Sequence, residues 1–223
     1  ALRFSPDSAS LLASSWDSSL RHYNLRSSAA LHAPPIVQPC PLLDCDFLGD
    51  CETAVSAGLD GSVRLHRLLR QGVAGGANGG LTSNNQLPPS DDMAATVLGS
   101  HESAVRCVRA CGAMGPACMV SGSWDKTLKM WDVRAATACV ATIAQPDKIL
   151  GLSAGIASCS GTGGGEIPLL VVATQGRHVS LVDLRSPTVP MQKRESSLKC
   201  QTRCVAQMPS GEGFTLGSVE GRV

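Results

Sequence analysis

Three copies of one phrase predict an all-β fold, a β-propeller built from short four-stranded sheets. The copies run Ser14–Leu25, Ala57–Leu68 and Gly122–Val133. Each is a small or polar stretch, an acid at a turn (Asp17, Asp60, Asp125) and then an alternating strand. A degraded copy follows at Ala173–Leu184, with Gly176 at the turn, and a fifth begins at Ser218–Val223. Asp17 and Asp60 stand 43 residues apart, and Gly176 and Glu220 stand 44 apart. Roughly 40–45 residues per copy, closed by a pair such as Trp131-Asp132, is the period of a β-propeller blade.

Within the third copy the pattern predicts strands at Ala104–Arg109, Ala117–Ser121, Thr127–Asp132 and Ala138–Ile143. Short β-runs divided by turn residues every ~8–12 positions suit such an array. The interval from Asp60 to Asp125 is 65 residues, and Gln71–Asp92 carries the surplus. That stretch is rich in Gly, Asn, Ser and Pro, the composition of a flexible loop. A second insertion is expected at Ser158–Glu166, around Gly161-Thr162-Gly163-Gly164-Gly165. The sequence thus spells one domain, 1–223, holding about four and a half blades. A propeller closes first blade to last, and raw sheet edges are a liability. The expectation is therefore a fragment of a seven-bladed ring.

The 223 residues carry a net charge of +1, too little to draw in nucleic acid or an anionic membrane. No apolar run reaches about 18 residues, so no spanning helix is expected. The ten cysteines include no C-x-x-C pair. They sit beside apolar residues and are expected to be reduced core residues of an intracellular protein. No cofactor or metal site is expected. Only 3% of residues are aromatic, so Ala, Cys and Leu must fill positions where propellers often place rings.

His101, Ser121 or Ser123, Asp125 and Trp131 could be mistaken for a catalytic Ser-His-Asp set. No nucleophile-elbow or oxyanion pattern accompanies them. In a WD repeat these types form a buried chain instead, in which each polar group gains a partner. The glycine run at 161–165 lacks the Lys-Ser/Thr of a phosphate loop. His22 and His66 fall on strand positions where packing suffices. Nothing in the chain recommends an enzyme.

Surface binding remains. Trp16, Trp124 and Lys126 belong to the turns between second and third strands and form a candidate peptide-binding face. An exposed Trp there is a peptide anchor, and a Trp packed on the next blade is structural; the sequence leaves both open. The segment Gln192–Lys199 is basic, with Arg203 and Arg222 downstream. Paired guanidiniums suit a carboxylate or phosphate.

Two long phrases carry a closer likeness. Arg194–Cys204 and Gly217–Val223 resemble the Bub-three family of mitotic checkpoint WD-repeat proteins. So do Ser14–Asp17, Gly122–Lys129, Gln145–Lys148 and Val182–Arg185. The likeness covers nearly the whole chain outside the two insertions. It implies a seven-bladed, non-catalytic adaptor, nuclear and kinetochore-bound in mitosis. Such adaptors bind GLEBS motifs of checkpoint kinases and kinase-like proteins, and phosphorylated MELT repeats of a kinetochore scaffold. By the family's Gln-x-Arg and Glu-Gly-Arg-Val phrases, Arg203 and Arg222 would clamp the phosphate. The sister family of mRNA export factors, Rae-one or Gle-two, binds a nucleoporin GLEBS motif. Leu216-Gly217-Ser218 leans toward that sister family. Departures are Cys200, where the family has an aromatic, and His22, where it has an aliphatic residue.

Overall fold

The computed structural model describes residues 1–26, 34–49, 51–68, 95–158 and 166–221. Four antiparallel sheets of four strands and one two-stranded sheet follow one another along the chain. The first blade holds β1 (Leu2–Phe4), β2 (Ser10–Ser14), β3 (Ser19–Asn24) and β4 (Ile36–Val37). The second holds β5 (Leu42–Phe47), β6 (Thr53–Gly58), β7 (Ser62–Arg67) and β8 (Thr96–Ser100). The third holds β9 (Val105–Ala110), β10 (Cys118–Ser123), β11 (Thr127–Asp132) and β12 (Cys139–Ala144). Its strands match the sequence reading to within a residue or two at each end, where strands fray.

The fourth blade holds β13 (Ile149–Ser158), β14 (Glu166–Thr174), β15 (His178–Asp183) and β16 (Gln192–Glu195). Ser158 and Glu166 pair in register at the far end of its first hairpin. The last sheet is β17 (Thr202–Gln207) with β18 (Phe214–Ser218). Residues 71–92 and 159–165, assigned to insertions above, lie outside the described residues. The sheets are blade-like, and no closed ring is formed among the described residues.

Core clusters sit between consecutive blades, because each sheet buries both faces. Leu12, Leu20, Leu42 and Phe47 join the first two blades. Val55, Val63, Val108, Met119 and Trp131 join the second and third. Cys107, Val120, Leu128, Ile149, Leu152 and Leu170 join the third and fourth. Each fully buried Val or Leu stabilises the packing by roughly 1.5–3 kcal/mol. Cys40, Cys45, Cys107 and Cys111 are buried, but Cys200 and Cys204 are exposed, and no described cysteine forms a disulfide. Burial pushes the Cys45 thiol up to about 11 and that of Cys111 to about 12. Both are inert packing groups at neutral pH.

The first strand of each blade leaves an inner edge of unpaired N–H groups, which must be satisfied once buried. Side chains of the preceding blade supply the acceptors. Asp44 Oδ2 accepts the Val108 N–H at 3.2 Å and Asp46 Oδ2 accepts that of Ala110 at 2.9 Å. Ser153 Oγ accepts the Gln207 N–H at 3.0 Å. Arg109 Nη1 also donates to Asp44 at 2.5 Å. Burial holds the Asp46 carboxyl up at about 6 and raises that of Asp44.

Candidate peptide-binding face

In an antiparallel meander the turn between second and third strands lies at the same end as the loop to the next blade. A repeated hydrogen bond fixes this end. The N–H groups of Gln38, His101, Gln145 and Ser196 donate to the carbonyls of Ser18, Gly61, Lys126 and Arg177, at 2.7–2.8 Å. Each acceptor is the second residue of its turn and has a left-handed backbone, with φ of 68°, 84°, 68° and 64°. Only glycine fits at 61, since a Cβ there would come within 2.7 Å of the His101 carbonyl. The first residue caps the turn: Asp17, Asp60 and Asp125 each accept the N–H two residues on, at 3.0, 3.0 and 2.8 Å. The Ser19 hydroxyl and the other donors around Asp17 hold its carboxyl at about 2.

Beneath this face, the third blade joins His101, Asp125, Ser121 and Trp131 in one chain. His101 Nδ1 is 3.0 Å from Asp125 Oδ2 and its Nε2 is 2.7 Å from Ser121 Oγ. The Trp131 indole N–H donates to Ser121 Oγ at 2.8 Å. One proton assignment satisfies all of them: Nδ1–H to the carboxylate, Ser121 O–H to Nε2, indole N–H to Ser121. Ser123 is outside the chain; its hydroxyl donates to the carbonyls of Ser103 and Ala104 and accepts the Asp125 N–H. Burial lowers the His101 pKa against the pull of Asp125, so the imidazole is neutral at pH 7. For Asp125, burial favours the acid, but donors from Thr127 and Glu102 overcome it and the carboxyl stays low. Ser121 is fully buried, so this Ser-His-Asp set offers no substrate a nucleophile.

The second blade solves the same turn differently, a substitution the sequence reading missed. Arg64 folds back, buried, and donates to Asp60 Oδ2 at 2.5 Å, with Cys40 Sγ 3.5 Å from its other nitrogen. Burial opposes ionisation of Asp60, yet the Arg64 and Ser62 hydrogen bonds win and depress its pKa strongly. His66 stands where Trp131 stands in the third blade, with Nε2 2.8 Å from Ser56 Oγ. Its Nδ1 is buried with no partner among the described residues. Arg64 follows its turn acid by four residues, as Arg21 follows Asp17 and Lys129 follows Asp125, so the offset alone did not single it out.

Trp16 lies on the turn face, 67% exposed, and Trp124 is half-buried there. Lys126 is exposed in its turn. Arg203, next to the start of β17, opens on the same end and is exposed. No hydrogen bond or ion pair engages its guanidinium among the described residues. Lys148 and Lys199 belong to the loops entering the fourth and fifth sheets, so this face gathers cations that a linear reading scatters. Arg177, at the left-handed turn of the fourth blade, is ion-paired to Glu195. Cys200 N–H donates to Glu220 Oε1 at 2.9 Å, tying the loop before Arg203 to the last turn. Arg222 lies outside the described residues.

The WD domain, G-beta repeat family matches residues 1–24 and 94–132. The chain carries WD repeats. Along its whole length it is similar to checkpoint and export proteins. It is 40% identical to the mitotic checkpoint protein BUB3.1 of Arabidopsis thaliana, over 100% of this chain and 55% of that protein. It is 32% identical to a poly(A)+ RNA export protein of Schizosaccharomyces pombe, over 99% of this chain and 54% of the relative. A mitotic checkpoint protein, bub3, of Dictyostelium discoideum is 29% identical over 100% of this chain and 56% of its own length. The chain thus spans about half the length of the relatives it matches.

Proposed function

We propose that this WD-repeat chain serves a non-catalytic adaptor of the spindle assembly checkpoint. The adaptor binds GLEBS motifs of checkpoint kinases and kinase-like proteins, and phosphorylated MELT repeats of a kinetochore scaffold. It acts in the nucleus and, in mitosis, at kinetochores. The observation that carries this reading is Arg203, an exposed guanidinium with no partner among the described residues, on the face that also presents Lys126, Lys148 and Lys199. A phosphothreonine brings close to two negative charges and three strong acceptors, which such a group matches by charge-assisted hydrogen bonds. Arg222, next in sequence after the Glu220-Gly221 turn, is proposed as the second arm of the clamp. Exposed Trp16 suits an apolar anchor for the bound peptide, with Trp124 beside the same turn end.

The test is binding of the full-length protein to a MELT peptide with and without its phosphate. The expected result is a phosphate-dependent gain of at least about tenfold, lost in Arg203→Ala and in Arg222→Ala with the fold retained. Equal affinity for the two peptides sinks the phosphate clamp. The second reading is a nuclear-pore adaptor in mRNA export that binds a nucleoporin GLEBS motif. It draws on the RNA export relatives aligned over the same span. Tight nucleoporin GLEBS binding with indifference to MELT phosphate would select it.

A further inference from the structure

The basic strand β16 ends in a loop whose chemistry the clamp does not use. Lys193 and Arg194 are exposed on that outer strand, and Glu195, ion-paired to Arg177, separates them from Ser196-Ser197. The two serines differ. Ser196 is half-buried, its N–H donates to the Arg177 carbonyl at 2.8 Å, and its hydroxyl accepts the Leu198 N–H at 3.2 Å. Ser197 is exposed, and none of its groups makes a hydrogen bond among the described residues. The loop is held at its ends, by Arg177 on one side and by the Cys200–Glu220 bond on the other. An exposed hydroxyl with two cations just upstream is what an enzyme with an acidic peptide cleft recognises.

We propose that Ser197 is a phosphorylation site for a basic-directed serine kinase, and that its phosphate shuts the turn face to phosphopeptides. The Ser197 oxygen attacks the γ-phosphorus of a nucleoside triphosphate. An O–P bond forms and the bond to the bridging oxygen breaks. Nucleoside diphosphate leaves, and the hydroxyl proton passes to the kinase's base. The new dianion stands between the turns of the fourth and fifth sheets, two residues from Lys199 and six from Arg203. It is covalently held among the cations that a bound phosphothreonine needs, so it competes at high effective concentration. This regulatory half rests on the phosphopeptide reading above.

The experiment treats the folded full-length protein with the catalytic subunit of cyclic-AMP-dependent protein kinase and magnesium ATP. Peptide mass spectrometry then maps the phosphate. Phosphate on Ser197, absent in Ser197→Ala and slowed at least about tenfold in Arg194→Ala, is expected. Native protein phosphorylated elsewhere, or nowhere, overturns the acceptor assignment. Affinity for a phosphothreonine MELT peptide is measured before and after modification. A loss of at least about tenfold, absent in Ser197→Ala, supports the closure, and unchanged affinity overturns it. If the unmodified protein already ignores the peptide, the adaptor reading falls and the closure with it. The phosphate map still decides Ser197 by itself.

Discussion

In the third blade the turn acid Asp125 holds a neutral imidazole, while in the second the equivalent Asp60 holds a buried guanidinium. The two turns have the same backbone, a capped acid followed by a left-handed residue, yet different groups lie beneath them. In the third, His101 comes from the loop entering the blade and reaches Ser121 and through it Trp131, linking two strands, their turn and a loop. In the second, Gln38 occupies the His101 position, and Arg64 from the blade's own third strand fills the space. What must be conserved physically is a satisfied turn carboxylate over a satisfied buried hydroxyl. Either a neutral relay or an ion pair with a separate Ser56–His66 pair meets that condition.

The contrast is open to direct attack. Trp131→Ala should do most damage, roughly 3–5 kcal/mol, because a ring buried between two blades leaves a cavity. It also strands the Ser121–His101 pair. Denaturant unfolding of the full-length protein reads this, and a cost near 1 kcal/mol would mean the chain of bonds carries little.

Arg64→Ala should cost less, about 2–3 kcal/mol, below the usual cost of breaking a buried pair. The Asp60 side chain is 37% exposed, so solvent screens the charge left behind. Arg64→Lys should recover only part, since an ammonium cannot span both Asp60 and Cys40 as the guanidinium fork does. Full recovery would show that charge alone matters at this turn.

The smallest expected effect is one of pH. Burial first, and then the Arg64 charge, hold the His66 imidazole down at about 4. An unfolded histidine titrates near ~6.5. The fold therefore prefers the neutral ring, so the stability it contributes is complete above ~6.5 and is lost as pH falls toward 4. The loss should reach roughly 2 kcal/mol by pH ~5. Asp46 acts with the opposite sign, since a carboxyl held at about 6 favours the fold at low pH and loses that preference as pH rises from ~4. The difference between the profiles of wild type and His66→Gln isolates the histidine. Parallel profiles would show that His66 does not carry the pH response.

Much of this architecture was legible in the sequence because it is periodic. The turn acids and the alternating strands after them recur at one spacing, and the third-blade strands fall within a residue or two of their expected bounds. The His101–Asp125 chain was legible for the same reason: each member sits at a fixed offset in its repeat. Arg64 was not. Its offset matches that of the exposed Arg21 and the half-exposed Lys129, and only the loss of a histidine from the preceding loop draws it inward. The Asp44 and Asp46 caps were equally hidden, because their partners are 64 residues away on another blade.

By itself, then, the sequence determined the repeat, the turn chemistry and the types of residue in the core. These follow from local backbone preference and from which side of a strand a residue faces. Tertiary structure decided which carboxylate meets imidazole and which meets guanidinium, because those pairings depend on the side chains of neighbouring strands and loops. It also decided that Lys148, Lys199 and Arg203 join Trp16 and Lys126, already placed together by their turns, at one end of the sheets. Antiparallel chain reversal brings each turn beside the loop to the next blade, a proximity that residue order does not display.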